Sequence, residues 1–139
     1  MFAERMMRMI KNKLVQKAAE AMENAYAPYS DFKVGAALLS KSGKVYKGCN
    51  VENSSYGVTN CAERTALFSA IADGEREFDA IAIAGGKGGE ITDFCPPCGV
   101  CRQALSEFCG EDFKIYLYNG KRVKEYKFSK ILPLQFELR

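Results

Sequence analysis

Apolar side chains recur every three or four positions through the first 26 residues, at Met6, Met9 with Ile10, Leu14, Ala18 and Met22, with lysines and glutamates between them. That period predicts one amphipathic helix. Pro28 is its expected stop, because proline disfavours helical backbone at the residue before it. The period then shortens. FKVGAALLS over residues 32–40 is almost continuously apolar, Lys41-Ser42-Gly43-Lys44 is turn chemistry, and VYKGCNVE resumes, which together predict a β-hairpin. Asn60 is placed to cap a helix over residues 61–73, with Ala62, Ala66, Leu67, Ala70 and Ile71 on its buried side and Gly74 as its stop. DAIAIAG over residues 79–85 predicts a buried strand. The glycines at 85, 86, 88 and 89 predict a mobile connection, without a phosphate-binding fingerprint. A further helix opens near Cys98 and closes at Gly110, and residues 113–119 and, more weakly, 122–128 read as strands. This order predicts an α/β fold, a three-layer α/β/α sandwich with a central mixed five-stranded sheet, as one domain over residues 1–139.

Composition narrows the function classes. With 139 residues, 47% hydrophobic and 27% charged, the chain suits one packed core and excludes disorder. Twenty basic against seventeen acidic residues give +3, too small an excess to predict a nucleic-acid partner. No apolar stretch approaches the roughly 20 residues of a membrane-spanning helix. The mixed charge of the N-terminus gives no signal-peptide core, so the expected location is cytoplasmic. Histidine is absent, which removes Ser-His-Asp and Cys-His catalysis and every imidazole metal site. Six cysteines remain, and in a reducing compartment they point to metal or redox chemistry rather than disulfides.

Two segments carry that chemistry: Cys61-Ala62-Glu63 at one predicted helix start, and Pro97-Cys98-Gly99-Val100-Cys101 at another. Cys98 and Cys101 are three apart and share a face of a first helical turn; Cys61 supplies a third sulfur. Helix N-termini favour thiolates, the form that zinc binds. Three such ligands leave the fourth tetrahedral position for water, the pattern of a catalytic site, with Glu63 as general base. Arg64, and secondarily Arg102, are candidates to offset the clustered negative charge. Plainer readings compete. Asn60 with Glu63 resembles a capping box. Cys95 is available to close a purely structural four-thiolate site, and a redox pair is a further possibility. Cys49 and Cys109 read as small buried hydrophobes, Phe32 alone as core, and Asn50 and Glu52 alone as turn residues.

YAPYSDFKVGAALL, GCNVENSSYGVTNCAERTA, PCGVCRQALSEF and ILPLQF together resemble the small, homotetrameric, zinc-dependent cytidine deaminases over nearly the whole chain. The resemblance implies hydrolytic deamination of cytidine and deoxycytidine in pyrimidine salvage, with one Zn²⁺ per subunit. It implies Cys61, Cys98 and Cys101 as ligands and Glu63 as the proton-transfer group. It further implies Phe32 stacking on the pyrimidine, Asn50 and Glu52 on the ribose hydroxyls, and the Ala62 N–H on the base carbonyl. Tyr56 and Phe136 would approach a neighbouring subunit's active site, and Arg64 would hydrogen-bond ligand sulfurs. A nucleoside-antibiotic deaminase of the same fold is the alternative within the enzymes, and a zinc-stabilised binding module the alternative outside them.

Overall fold

The computed structural model describes residues 1–138. Helix α1 (Phe2–Ala21) is followed by a hairpin, β1 (Phe32–Ser40) and β2 (Val45–Cys49), then α2 (Ala62–Ala72) and β3 (Phe78–Lys87). After these come α3 (Gly99–Ser106), β4 (Lys114–Tyr118), β5 (Val123–Lys127) and the single turn α4 (Phe128–Ile131). The five strands form one mixed sheet in the order β2-β1-β3-β4-β5, parallel only between β3 and β4.

The alternation Ala-Ile-Ala-Ile-Ala in β3 sorts the two faces of this sheet, since successive strand side chains point to opposite sides. Ala80, Ala82 and Ala84 join Ala37 and Tyr116 beneath Leu14, Val15 and Ala18 of α1. Ile81 and Ile83 pack with Leu38, Ile115 and Leu117 against Leu67 of α2 and Leu105 of α3. Burying each such aliphatic side chain stabilises the fold by about 1.5–3 kcal/mol. Small residues on the α1 side let that helix sit close. A Cβ at Gly35 would lie 2.0 Å from the Ala18 carbonyl oxygen, so only glycine admits the helix at this depth.

Several boundaries differ from the sequence reading, each through a tertiary contact. Helix α1 stops at Ala21 and a 3-10 turn at Met22–Asn24, short of Pro28. There the chain turns extended so that the Tyr26 N–H can donate to Asn50 and the Tyr26 carbonyl can accept from Glu52. The apolar stripe of α1 is buried only in its second half; Met6, Met9 and Ile10 are exposed. Helix α3 ends at Ser106, not Gly110, because the following residues turn inward to bury Cys109 and set Phe108 edge-on to Phe78. Gly85 and Gly86 lie within β3, where a Gly86 Cβ would overlap the Glu90 carbonyl at 1.6 Å. The turn α4 has no counterpart in the sequence reading; its Phe128 is fully buried, edge-on to Phe113.

Candidate metal centre

The N-termini of α2 and α3 converge on the side of the sheet opposite α1. Cys61 is the N-cap of α2, replacing the Asn60 cap expected from sequence. Asn60 instead pairs through its backbone with Val51 and donates its side-chain amide to the Thr65 hydroxyl at 3.0 Å. Bare backbone at Gly48 lets the first turn of α2 rest directly on β2: a Cβ there would lie 2.4 Å from the Ala66 nitrogen and 2.5 Å from the Ala62 oxygen. Cys98 caps α3, its sulfur accepting the Cys101 N–H at 3.5 Å.

These two caps bring the sulfurs of Cys61, Cys98 and Cys101 within 4.8 Å of one another. Cys61 and Cys98 are 3.8 Å apart. Thiolates at about 2.3 Å from a tetrahedral zinc are separated by about 3.8 Å, so the donor set and spacing fit that ion. The trio grades from Cys101, buried, through Cys61 to Cys98, exposed, which leaves one side of the cluster facing outward. Cys95 is outside the group. Its sulfur lies against β3, at 3.1 Å from where a Gly85 Cβ would stand, so among the described residues the close sulfur group has three members rather than the four of a closed thiolate site. Burial, with the charges of Glu63 and Cys61, raises its thiol to about 11.

Electrostatics favour the thiolate at Cys61 over that at Cys101. A hydrogen bond from Cys101, then the Arg64 guanidinium and Cys98, lower it to about 5, while Cys101, donor in that bond and partly desolvated, is raised. Arg64 Nη2 lies 3.4 Å from the Cys61 sulfur and 3.5 Å from the Thr59 carbonyl. Arg102 serves elsewhere: it donates to the Pro97 and Ile131 carbonyls at 2.8 and 2.7 Å, tying the entry of α3 to α4. Glu63 is only 4% exposed. Burial first, and the neighbouring Cys61 charge after it, raise its carboxyl from 4.5 to about 7, where proton exchange near neutral pH is easy.

The remaining residues singled out in the sequence fall in two places. Phe32 opens β1 with its ring partly exposed. Buried Asn50 accepts the Val34 N–H at 2.9 Å and donates to the Phe32 carbonyl at 2.8 Å, stitching the start of β1 to the end of β2. Glu52 is hydrogen-bonded to the loop before β1. Tyr56, in the 3-10 turn Tyr56–Val58, stands edge-on to Tyr29 with ring centroids 6.2 Å apart. Tyr29, Ser30, Glu52, Asn53, Tyr56 and Thr59 line a cavity of about 400 Å³. Thr59 links it to the sulfurs through Arg64. Phe136 lies apart, on the outer face of α3, where its carbonyl accepts from Gln103 at 3.3 Å and its ring is exposed. The sequence reading missed Tyr29, Ser30 and Gly48; a serine two residues before an aromatic strand start is a local turn signal that points to the second.

Residues 8–117 match the family model described as the cytidine and deoxycytidylate deaminase zinc-binding region. The cytidine deaminase of Sporosarcina psychrophila is 48% identical over 125 residues, covering 89% of each chain. That of Halalkalibacterium halodurans is 49% identical over 124 residues, 88% of this chain and 91% of that one. The crystal structure of cytidine deaminase from Burkholderia pseudomallei superposes with a TM-score of 0.83 at 48% identity, covering 90% of this chain and 98% of the other. With a family match that spans most of its length and includes all three clustered cysteines and Glu63, this chain belongs to the zinc-binding cytidine and deoxycytidylate deaminase family.

Proposed function

We propose that the protein hydrolyses cytidine and deoxycytidine to uridine and deoxyuridine with release of ammonia, as a pyrimidine-salvage enzyme. The observation that carries this reading is a buried carboxyl, Glu63, two residues from one of three sulfurs gathered within 4.8 Å. Zinc, when bound by Cys61, Cys98 and Cys101, supplies a Lewis acid and a water of lowered pKa. Glu63 takes a proton from the water that attacks C4 and gives it to N3 of the ring, then takes the proton of the new C4 hydroxyl and passes it to the amino group, which leaves as ammonia as the C4 carbonyl forms; its raised pKa suits a group that must both accept and donate. Arg64 offsets the thiolate charge at Cys61. The Ala62 N–H, one of the free donors of a helix start, holds the base carbonyl, and Phe32 stacks on the pyrimidine.

Asn50 and Glu52 take the ribose hydroxyls. Asn50 has one amide hydrogen beyond the one given to Phe32, and Glu52 retains acceptor capacity on Oε2. The homotetramer that the resemblance implies, in which Tyr56 and Phe136 each reach a neighbour's site, is compatible with the exposure of both rings. A cytoplasmic, single-domain enzyme acting on free nucleosides fits a net charge of only +3, which offers little attraction for a polynucleotide. No helix among the described residues is long and apolar enough to cross a membrane.

Ammonia release from cytidine by the purified protein, its loss on chelation and its return with added zinc test the function. No ammonia from the zinc-loaded protein contradicts it. Sedimentation tests the assembly, a tetramer being expected.

A further inference from the structure

The loop leading into β1 contains a hydrogen-bond relay that none of the roles above requires. Asp31 closes this loop with its N–H on the Ala27 carbonyl at 3.0 Å, in a left-handed conformation (φ 55°) that aspartate tolerates better than most residues. Within the loop, the Tyr29 and Ser30 N–H groups donate to Glu52 Oε1 at 3.0 and 3.1 Å. The Ser30 hydroxyl donates to Glu52 Oε2, and its oxygen accepts the Phe32 N–H at 3.0 Å.

Each carboxylate oxygen accepts about two hydrogen bonds. Two amides therefore fill Oε1, while Oε2 holds the serine and keeps one acceptor position. Ser30 and Glu52 both line the cavity walled by Tyr29 and Tyr56. One hydroxyl thus joins the carboxylate read as the sugar acceptor to the backbone of the ring read as the base platform.

We propose that Ser30 is a positioning residue for sugar recognition: its hydroxyl fixes the rotation of the Glu52 carboxylate so that the remaining Oε2 position faces a ribose hydroxyl. The proposal rests on the reading of Glu52 as the sugar acceptor. Without the hydroxyl, the carboxylate is held by Oε1 alone and is free to swing, while the backbone of β1 from Val34 onward stays paired with β3 and Asn50. A charge-assisted bond of this kind accounts for about a tenfold change in apparent affinity.

The test compares wild type, Ser30→Ala, Ser30→Thr, Glu52→Gln and the Ser30→Ala/Glu52→Gln double variant, all zinc-loaded with metal content checked. The readouts are kcat and KM for cytidine and the inhibition constant of 2′,3′-dideoxycytidine, which lacks both hydroxyls available to Glu52. Ser30→Ala is expected to raise KM for cytidine about tenfold with kcat within about twofold, and to leave dideoxycytidine binding within about twofold. Ser30→Thr returns KM close to wild type, and the double variant is no worse than Glu52→Gln alone. An unchanged cytidine KM in Ser30→Ala, equal weakening toward both nucleosides, or effects that add in the double variant overturns the proposal. A Glu52→Gln enzyme with wild-type KM overturns the sugar-acceptor reading and the proposal together; a Glu52→Gln effect without a Ser30→Ala effect overturns the proposal alone.

Discussion

Arg64 Nη2 sits 3.4 Å from the sulfur of Cys61, one helical turn away on α2, with its Nε buried and unpartnered. A guanidinium held this way is committed to the thiolate, since it has forgone water on one side to be there. Arg64→Ala removes the cation and leaves the sulfurs to repel one another. Zinc affinity is expected to fall by about 10–100-fold, as for other groups that orient metal ligands, with a matching loss of activity at limiting zinc. Competition with a chromogenic chelator measures this. Wild-type affinity and rate in the variant contradict the assigned role.

Gly48 is a second point where the centre depends on a residue far from it in sequence. Adding a methyl group there forces it into the backbone of α2 at Ala62 and Ala66, which has no side-chain freedom with which to yield. Gly48→Ala is expected to destabilise the fold by about 1–3 kcal/mol and to lower zinc affinity, because Cys61 and Glu63 ride on the displaced turn. Denaturant unfolding of the zinc-loaded protein checks the first and metal titration the second; an unchanged midpoint refutes the packing argument.

The Tyr46 hydroxyl donates to Asp73, whose carboxylate also lies 3.5 Å from Lys44 Nζ. That bond raises Tyr46 from 10.0 to about 12 and lowers Asp73. A raised tyrosine contributes stability that is whole below its unfolded value of 10.0 and is lost as pH climbs through about 12. A lowered aspartate contributes stability that is present above its unfolded value of 3.8 and is lost as pH falls through its depressed folded value. The difference in unfolding midpoint between wild type and Tyr46→Phe is therefore expected to be flat from about pH 5 to 9 and to shrink on both sides. A difference independent of pH contradicts the pairing.

Legibility in the sequence followed the range of the interactions involved. The hairpin, the alternating Ala and Ile of β3 and the glycine stop of α2 are set by neighbours within a few residues, and all were readable. The ends of α1 and α3 were not, because Tyr26 bridging to Asn50 and Cys109 entering the core are decided by distant partners. The clustering of Cys61, Cys98 and Cys101 was legible from helix-start chemistry even though 37 residues separate the first two. Asn60 carries a capping pattern, but its backbone is drawn into a bridge with Val51, and the cap passes to Cys61. The Glu52 carboxylate shows the limit most plainly: its loop partners lie 22 and 23 residues away, and although Ser30 carries a local turn signal, nothing local pairs it or Tyr29 with Glu52.

The central claim is that Glu63 moves protons beside a three-sulfur zinc centre, and turnover of cytidine by Glu63→Gln, with zinc content measured on the same sample, tests it most directly. Glutamine keeps the shape of the buried side chain and abolishes its proton exchange. The account predicts full zinc occupancy, an unchanged fold and a kcat lowered by at least about a thousandfold. A zinc-replete variant that turns over cytidine at close to the wild-type rate contradicts it.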